Sequence, residues 1–105
     1  MLKRLINVNL DKQLMQTKKF QEKIRKDWLE RDKKAGINAL FEHLEEEKNE
    51  LIEAIKEGNL EHISEEIADV IIITTGIANL QNIDLEKALK TKMKILEKRL
   101  EKRRM

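Results

Sequence analysis

An all-α fold, an antiparallel four-helix bundle completed by oligomerisation, is the architecture this chain predicts, and three observations carry it. Proline is absent and only three glycines occur in 105 residues, so the chain is short of the turn residues a sheet protein needs. Leu, Ile, Glu and Lys dominate, and these are good helix formers apart from the β-branched Ile. Apolar residues recur at helical spacing within stretches separated by short breaker clusters. A chain of this length makes one domain, spanning 1–105, and its modest core is of the kind that oligomerisation often completes.

The breakers place four helices. The first is expected over about 9–33, ending before Ala35-Gly36, with the residues ahead of it an arm or an extra turn. The second spans about 38–57 and stops at Gly58-Asn59, a glycine C-cap followed by an Asn N-cap. The third covers about 60–81. Asp84 is the N-cap of the fourth, which continues into the tail. The connections are short, so successive helices should pack antiparallel.

Composition excludes several function classes. With no cysteine there are no disulfides and no thiolate metal ligands, which fits a reducing compartment. The opening MLKRLINVNLDK is interrupted by Asn7, Asn9 and Asp11 and does not read as a signal peptide. The longest uncharged stretch, 70–83, is too short to cross a bilayer. A cytoplasmic protein with no membrane contact is expected. Lys and Arg number 22 against 20 acids, a balance that argues against nucleic acid as a partner. Only the tail KRLEKRRM is locally basic, and basic residues in a last helical turn are favoured by the helix dipole.

In a chain so rich in Glu, an E-x-x-E spacing means little without its position on the helix face. At about 100° per residue, Leu40, Leu44, Leu51 and Ile55 form the apolar stripe of the second helix. Glu47 and Glu50 fall on its border beside His43 and Ala54, whereas Glu42, Glu46, Glu53 and Glu57 lie further round towards solvent. In the third helix Asp69 is the only charged residue between Ile67 and Ile83. The apolar residues there go all round the wheel, as in a helix buried on most sides. Glu66 and Asp69 share a face with Ile73, Gly76 and Leu80. A carboxylate in such surroundings needs a partner, and a buried ion pair to Lys92 or Arg99 is the plain alternative to a metal. Lys92 and Arg99 lie along the edge of the fourth helix's stripe, where snorkelling is as good an explanation as ligand binding. His43 and Trp28 have equally ordinary explanations, in bundle-edge structure and in packing.

Four carboxylates on two helices with cations on a third nevertheless suit one kind of chemistry. Mg²⁺ binds carboxylate oxygens together with substrate phosphates, and clustered carboxylates repel unless a divalent cation neutralises them. Lys and Arg can hold the outer phosphates. The implied reaction is displacement at phosphorus by water, the nucleophile being activated by the metal or by a carboxylate.

Residues 41–99 resemble the MazG-like all-α nucleotide pyrophosphohydrolases. The family signature of E-x-x-E followed by E-x-x-D is met by Glu47-x-x-Glu50 and Glu66-x-x-Asp69, with EL after the first pair, DV at the second, and I-D-L-E opening the last helix. The resemblance implies Mg²⁺, with Mn²⁺ as a substitute, held by these four acids, which are also the catalytic residues. It implies attack by water at the α-phosphate of a nucleoside or deoxynucleoside triphosphate and release of pyrophosphate, a nucleotide-pool house-cleaning activity. It also implies a homodimer or dimer of dimers whose neighbouring subunits close the nucleotide pocket. Lys92, Arg99, His43 and Trp28 are the residues expected to bind substrate. The last helix departs from the family's K-x-x-x-N-x-x-R pattern, since Leu96 stands where Asn is usual. Phosphoribosyl-ATP pyrophosphatases share the quartet, but their D-L-x-Y-H text is replaced here by Asp69-Val70-Ile71-Ile72-Ile73, which ranks that substrate low. The competing function is a non-catalytic helical module that binds nucleotide or another protein.

Overall fold

The computed structural model describes the backbone of residues 2–104, and the side chains of 11–103 except residue 13. Four helices follow one another without a strand among the described residues: α1 Leu2–Ala35, α2 Ile37–Glu57, α3 Leu60–Leu80 and α4 Leu85–Arg104. None is long and apolar enough to cross a membrane. The expected boundaries hold to within a residue or two, with one exception. α1 begins at Leu2 rather than near Asn9, so of the arm or extra turn expected ahead of it, the structure has the helix extended by about two turns.

Local chemistry explains each joint. Between α1 and α2 a single residue, Gly36, takes φ 88°, a region that L side chains rarely enter. Gly58 ends α2 in the left-handed conformation, its N–H donating to the carbonyls of Ala54 and Ile55. Asn59 then caps α3, its Oδ1 accepting from the His62 N–H at 3.2 Å. Asp84 caps α4 in the same way through the Lys87 N–H at 3.1 Å.

α3 is the central helix, packed on both α1 and α2, while α4 packs on α1. Leu14, Ile24, Leu40, Ala54, Ile73 and Ala78 are the buried apolar residues, with Gln21, Glu47, Glu66, Thr75 and Asn79 buried among them. Gln21 decides where α4 goes. Its Nε2 donates to Asn79 Oδ1 at 3.0 Å and to the Ile83 carbonyl at 2.8 Å, and its Oε1 accepts from the Leu85 N–H at 2.9 Å. One side chain of α1 thus satisfies the turn between α3 and α4. Further along, Lys90 pairs with Asp11. Leu85 is bonded to Gln21 and Lys90 reaches Asp11, earlier in α1, so α4 runs antiparallel to α1, towards its N-terminal end.

The chain leaves much apolar surface uncovered. On α3, Ile67 and Ile71 are about half exposed, and on α4 so are Leu96 and Leu100. The third helix is therefore buried on fewer sides than its composition suggests.

Candidate functional site

The α2–α3 hairpin brings the acids together. Ala54, fully buried and with no side chain beyond Cβ, lets the two helices approach closely. Glu47 from α2 then meets Glu66 and Asp69 from α3, with one carboxylate oxygen of each within 4.8 Å of the others. Glu47 and Glu66 are buried, at 8% and 6% exposure, whereas Asp69 is exposed at the mouth. Asp69 makes no ion pair with Lys92 or Arg99, so the expected burial of this residue does not hold in the single chain. Glu50, one turn from Glu47, is exposed and stands outside the tight group, although its charge is felt by Glu47.

Two histidines hold the buried acids. His43 Nε2 lies 3.1 Å from Glu47 Oε1, and His62 Nε2 lies 3.4 Å from Glu66 Oε1, each from one turn earlier on the same helix. The other ring nitrogen of His62 is 3.6 Å from Glu57 Oε2. The remaining oxygens, Glu47 Oε2 and Glu66 Oε2, are buried with no hydrogen-bond partner. When both groups are ionised, no donor reaches those atoms; a proton shared between the two acids is the one bond open to them. Glu47 accordingly has its pKa raised from 4.5 to about 7, first by burial, then by hydrogen bonding to Glu66 and by the charges of Asp69, Glu50 and Glu66.

Orphaned buried oxygens within a group of carboxylates fit a hard divalent cation, which takes oxygen ligands and cancels the repulsion. Histidine contacts to the opposite oxygens fix the orientation of the two ligands, as a metal's outer shell commonly does.

The cluster opens into a cavity of about 390 Å³ between α1, α2 and α3, a size usual for small-molecule sites. Glu47, Asp69 and His43 line one end. Trp28, Ile72, Ile73 and Leu40 form the walls, and Arg31, Asp32 and Gly76 lie on the α1 side. Trp28 is 41% exposed and faces this cavity rather than a core; the Arg31 guanidinium sits 5.1 Å above its ring.

Lys92 and Arg99 are not brought here. α4 leaves the level of Gln21 in the direction opposite to Asp32. At 1.5 Å per residue, Arg99 lies roughly 35 Å along the axis from the Asp32 end of α1. Lys92 instead lines a shallow cleft with Ile83, Lys87 and Ile95. His62 and Asp32 join the site without having been among the residues the sequence predicts for it. The His62 signal was present, since His62 precedes Glu66 by the same four residues that separate His43 from Glu47. Asp32 was hidden in the charged run ERDKK.

Comparison with known proteins adds two findings. The sequence model of the MazG nucleotide pyrophosphohydrolase domain matches residues 35–104, which hold α2, α3, α4 and the whole acidic cluster. A phosphoribosyl-ATP pyrophosphatase of Clostridium acetobutylicum is 42% identical over 72 residues, covering 65% of this chain and 66% of the relative, just under two thirds of its length. Trp28, Arg31 and Asp32 lie ahead of the matched domain.

Proposed function

The chain belongs to the MazG nucleotide pyrophosphohydrolase family, and we propose that it hydrolyses nucleoside or deoxynucleoside triphosphates to monophosphate and pyrophosphate with Mg²⁺ or, in its place, Mn²⁺. The observation that carries this reading is a carboxylate trio with orphaned buried oxygens, opening into a cavity with an aromatic wall.

Glu47, Glu66 and Asp69 hold the cation, and exposed Glu50 completes the quartet from the rim. The cation supplies Lewis-acid stabilisation of charge on the phosphate oxygens. His43 and His62 keep Glu47 and Glu66 aimed by binding their Oε1 atoms. Trp28 stacks on the base, and the apolar walls exclude water from the nucleoside. A water oxygen bonds to the α-phosphorus as the bond from that phosphorus to the α–β bridging oxygen breaks. Pyrophosphate leaves with the electron pair, and the proton of the attacking water passes to the carboxylate cluster.

We further propose a homo-oligomer, a dimer or a dimer of dimers. The uncovered faces of α3 and α4 support it, and so does the position of Lys92 and Arg99, which reach phosphates only in the site of a neighbouring copy. Leu96 belongs to that same exposed apolar face, which gives a packing reason for the apolar residue found there.

The relative from Clostridium acetobutylicum favours a second substrate, phosphoribosyl-ATP. Pyrophosphate release from a panel of NTPs, dNTPs and phosphoribosyl-ATP with Mg²⁺ separates the two. Turnover of simple triphosphates, lowered at least about a hundredfold by Asp69→Asn, is the expected result. Turnover of phosphoribosyl-ATP alone establishes the second reading. Metal-dependent nucleotide binding with no turnover, or stepwise release of orthophosphate, overturns both.

A further inference from the structure

Asp32 stands in an unfavourable place. It lies in the last turn of α1, where the helix dipole disfavours an acid. Burial makes its carboxyl harder to ionise, against the opposing pull of Arg31 and His43. Among the described residues its side chain has no hydrogen bond or ion pair. Its carboxylate lies against Gly76, where a Cβ would fall 3.0 Å from Asp32 Oδ2. A partly buried carboxylate that faces the cavity and is bonded to no protein donor can take its hydrogen bonds from a ligand.

The geometry says which part of the ligand that is. Asp32 is one turn beyond Trp28 on the same face of α1, and both line the cavity that ends at Glu47 and Asp69. Gly76, against which Asp32 rests, is two turns of α3 from Asp69, about 10 Å. That is the reach from a base's hydrogen-bonding edge to its 5′-phosphate. With phosphates at the acidic cluster and the base on Trp28, the edge of the base meets Asp32.

An ionised carboxylate only accepts hydrogen bonds, and it does so best from two parallel donors. Among the common bases, guanine alone offers these, as N1–H beside the N2 amino group. Adenine and cytosine pair an amino donor with a ring-nitrogen acceptor. Uracil and thymine place one N–H between two carbonyls. We propose that Asp32 is the base-reading residue of this site, and that its carboxylate makes the chain selective for guanine nucleotides. The assignment rests on the triphosphate reading above, because the phosphates set which end of the cavity the base occupies.

The test is calorimetric binding of α,β-methylene GTP and α,β-methylene UTP in the presence of Mg²⁺, alongside hydrolysis of GTP and UTP. The wild type should bind the guanine analogue about 10 to 100 times more tightly, the scale of a paired contact to a charged acceptor. Asp32→Asn turns an N–H donor towards guanine's donors and should bring the two affinities within about threefold. Gly76→Ala, which displaces the carboxylate without removing it, should narrow the ratio as well, and it serves should the Asn variant fail to fold. Equal binding of both analogues by the wild type, or a guanine preference that survives in both variants, overturns the assignment. Selective binding that follows Asp32 with no hydrolysis upholds it while removing the activity on which it was built.

Discussion

Replacing Glu47 by Gln should make the metal-free protein more stable at neutral pH while abolishing its response to metal. In the folded chain the Glu47 pKa is raised from 4.5 to about 7. Between about pH 4.5 and pH 7 the folded state therefore keeps a proton that the unfolded chain has released. The free energy of unfolding falls as pH rises through that window and is flat above it. Asp32, also raised, acts in the same direction. Taken whole, the Glu47 shift sets a ceiling of about 3 kcal/mol. The cluster opens to solvent through its cavity, and screening there brings the expected effect to about 1–2 kcal/mol. For a domain of this size that is a melting-temperature difference of roughly 5–10 °C. Gln keeps the shape, still presents an oxygen to His43, and can donate to the unpartnered Glu66 Oε2. Melting curves from pH 5 to pH 8, with and without Mg²⁺, provide the assay. The metal-free wild type should lose stability towards pH 8, and Mg²⁺ should restore it. Glu47→Gln should show a flatter profile, a higher metal-free midpoint at pH 8 and no gain from Mg²⁺. A variant that melts lower than wild type at pH 8 without metal would mean that repulsion in the cluster is not what the fold tolerates there.

Three other outcomes are expected. Gln21→Leu keeps the volume but strands the Asn79, Ile83 and Leu85 groups that Gln21 bonds, so denaturant unfolding should show a loss of about 2–4 kcal/mol. His62→Ala removes the support of Glu66 from a half-exposed position, and Mn²⁺ titration should show metal affinity down about tenfold with melting temperature little changed. If Lys92 and Arg99 serve a neighbouring copy's site, Asp69→Asn and Arg99→Ala chains, each inactive alone, should recover about a quarter of wild-type activity when co-refolded in equal amounts, as a two-fold dimer requires. No recovery on mixing would remove Arg99 from the neighbouring copy's site.

What the sequence revealed and what it hid divide along a physical line. The joints were legible because they are made within a few residues: Gly58 and Asn59 close α2 and open α3, and Asp84 opens α4. The acidic pairs were legible because helical periodicity puts Glu47 on the border of one stripe and Glu66 with Asp69 on the face of another. The start of α1 was legible only to within about two turns, because no cap or breaker marks it: the helix begins at Leu2 and not near Asn9, and Asp11 within it pairs with Lys90 of α4. The placement of Lys92 and Arg99 was not legible. A helical wheel tells which face a residue occupies, but not which neighbour that face meets. Here the Gln21 clamp on the α3–α4 turn sends α4 back along α1, away from the cluster. The exposure of Asp69 has a related reason. Apolar residues all round α3 imply cover on all sides, but the single chain covers only the sides that meet α1 and α2.

The buried polar groups show why the same core yields both a fold and a site. Gln21, Asn79 and Thr75 are all satisfied: the first two by each other and by the α3–α4 turn, and Thr75 by donating to the Ile71 carbonyl at 2.7 Å. Such groups fix topology, since any other path for α4 would leave them unpaired. Glu47 and Glu66 are equally buried, but each is bonded at one oxygen and orphaned at the other. Burial by itself does not separate the two sets. Burial without a partner does, and it picks out the acids that periodicity had placed at the edge of the core. The half-satisfied state is stable only with a proton or a cation between the two carboxylates. A site poised near neutral pH exchanges one for the other readily, and this ties metal binding, proton release and folding to the same two oxygens.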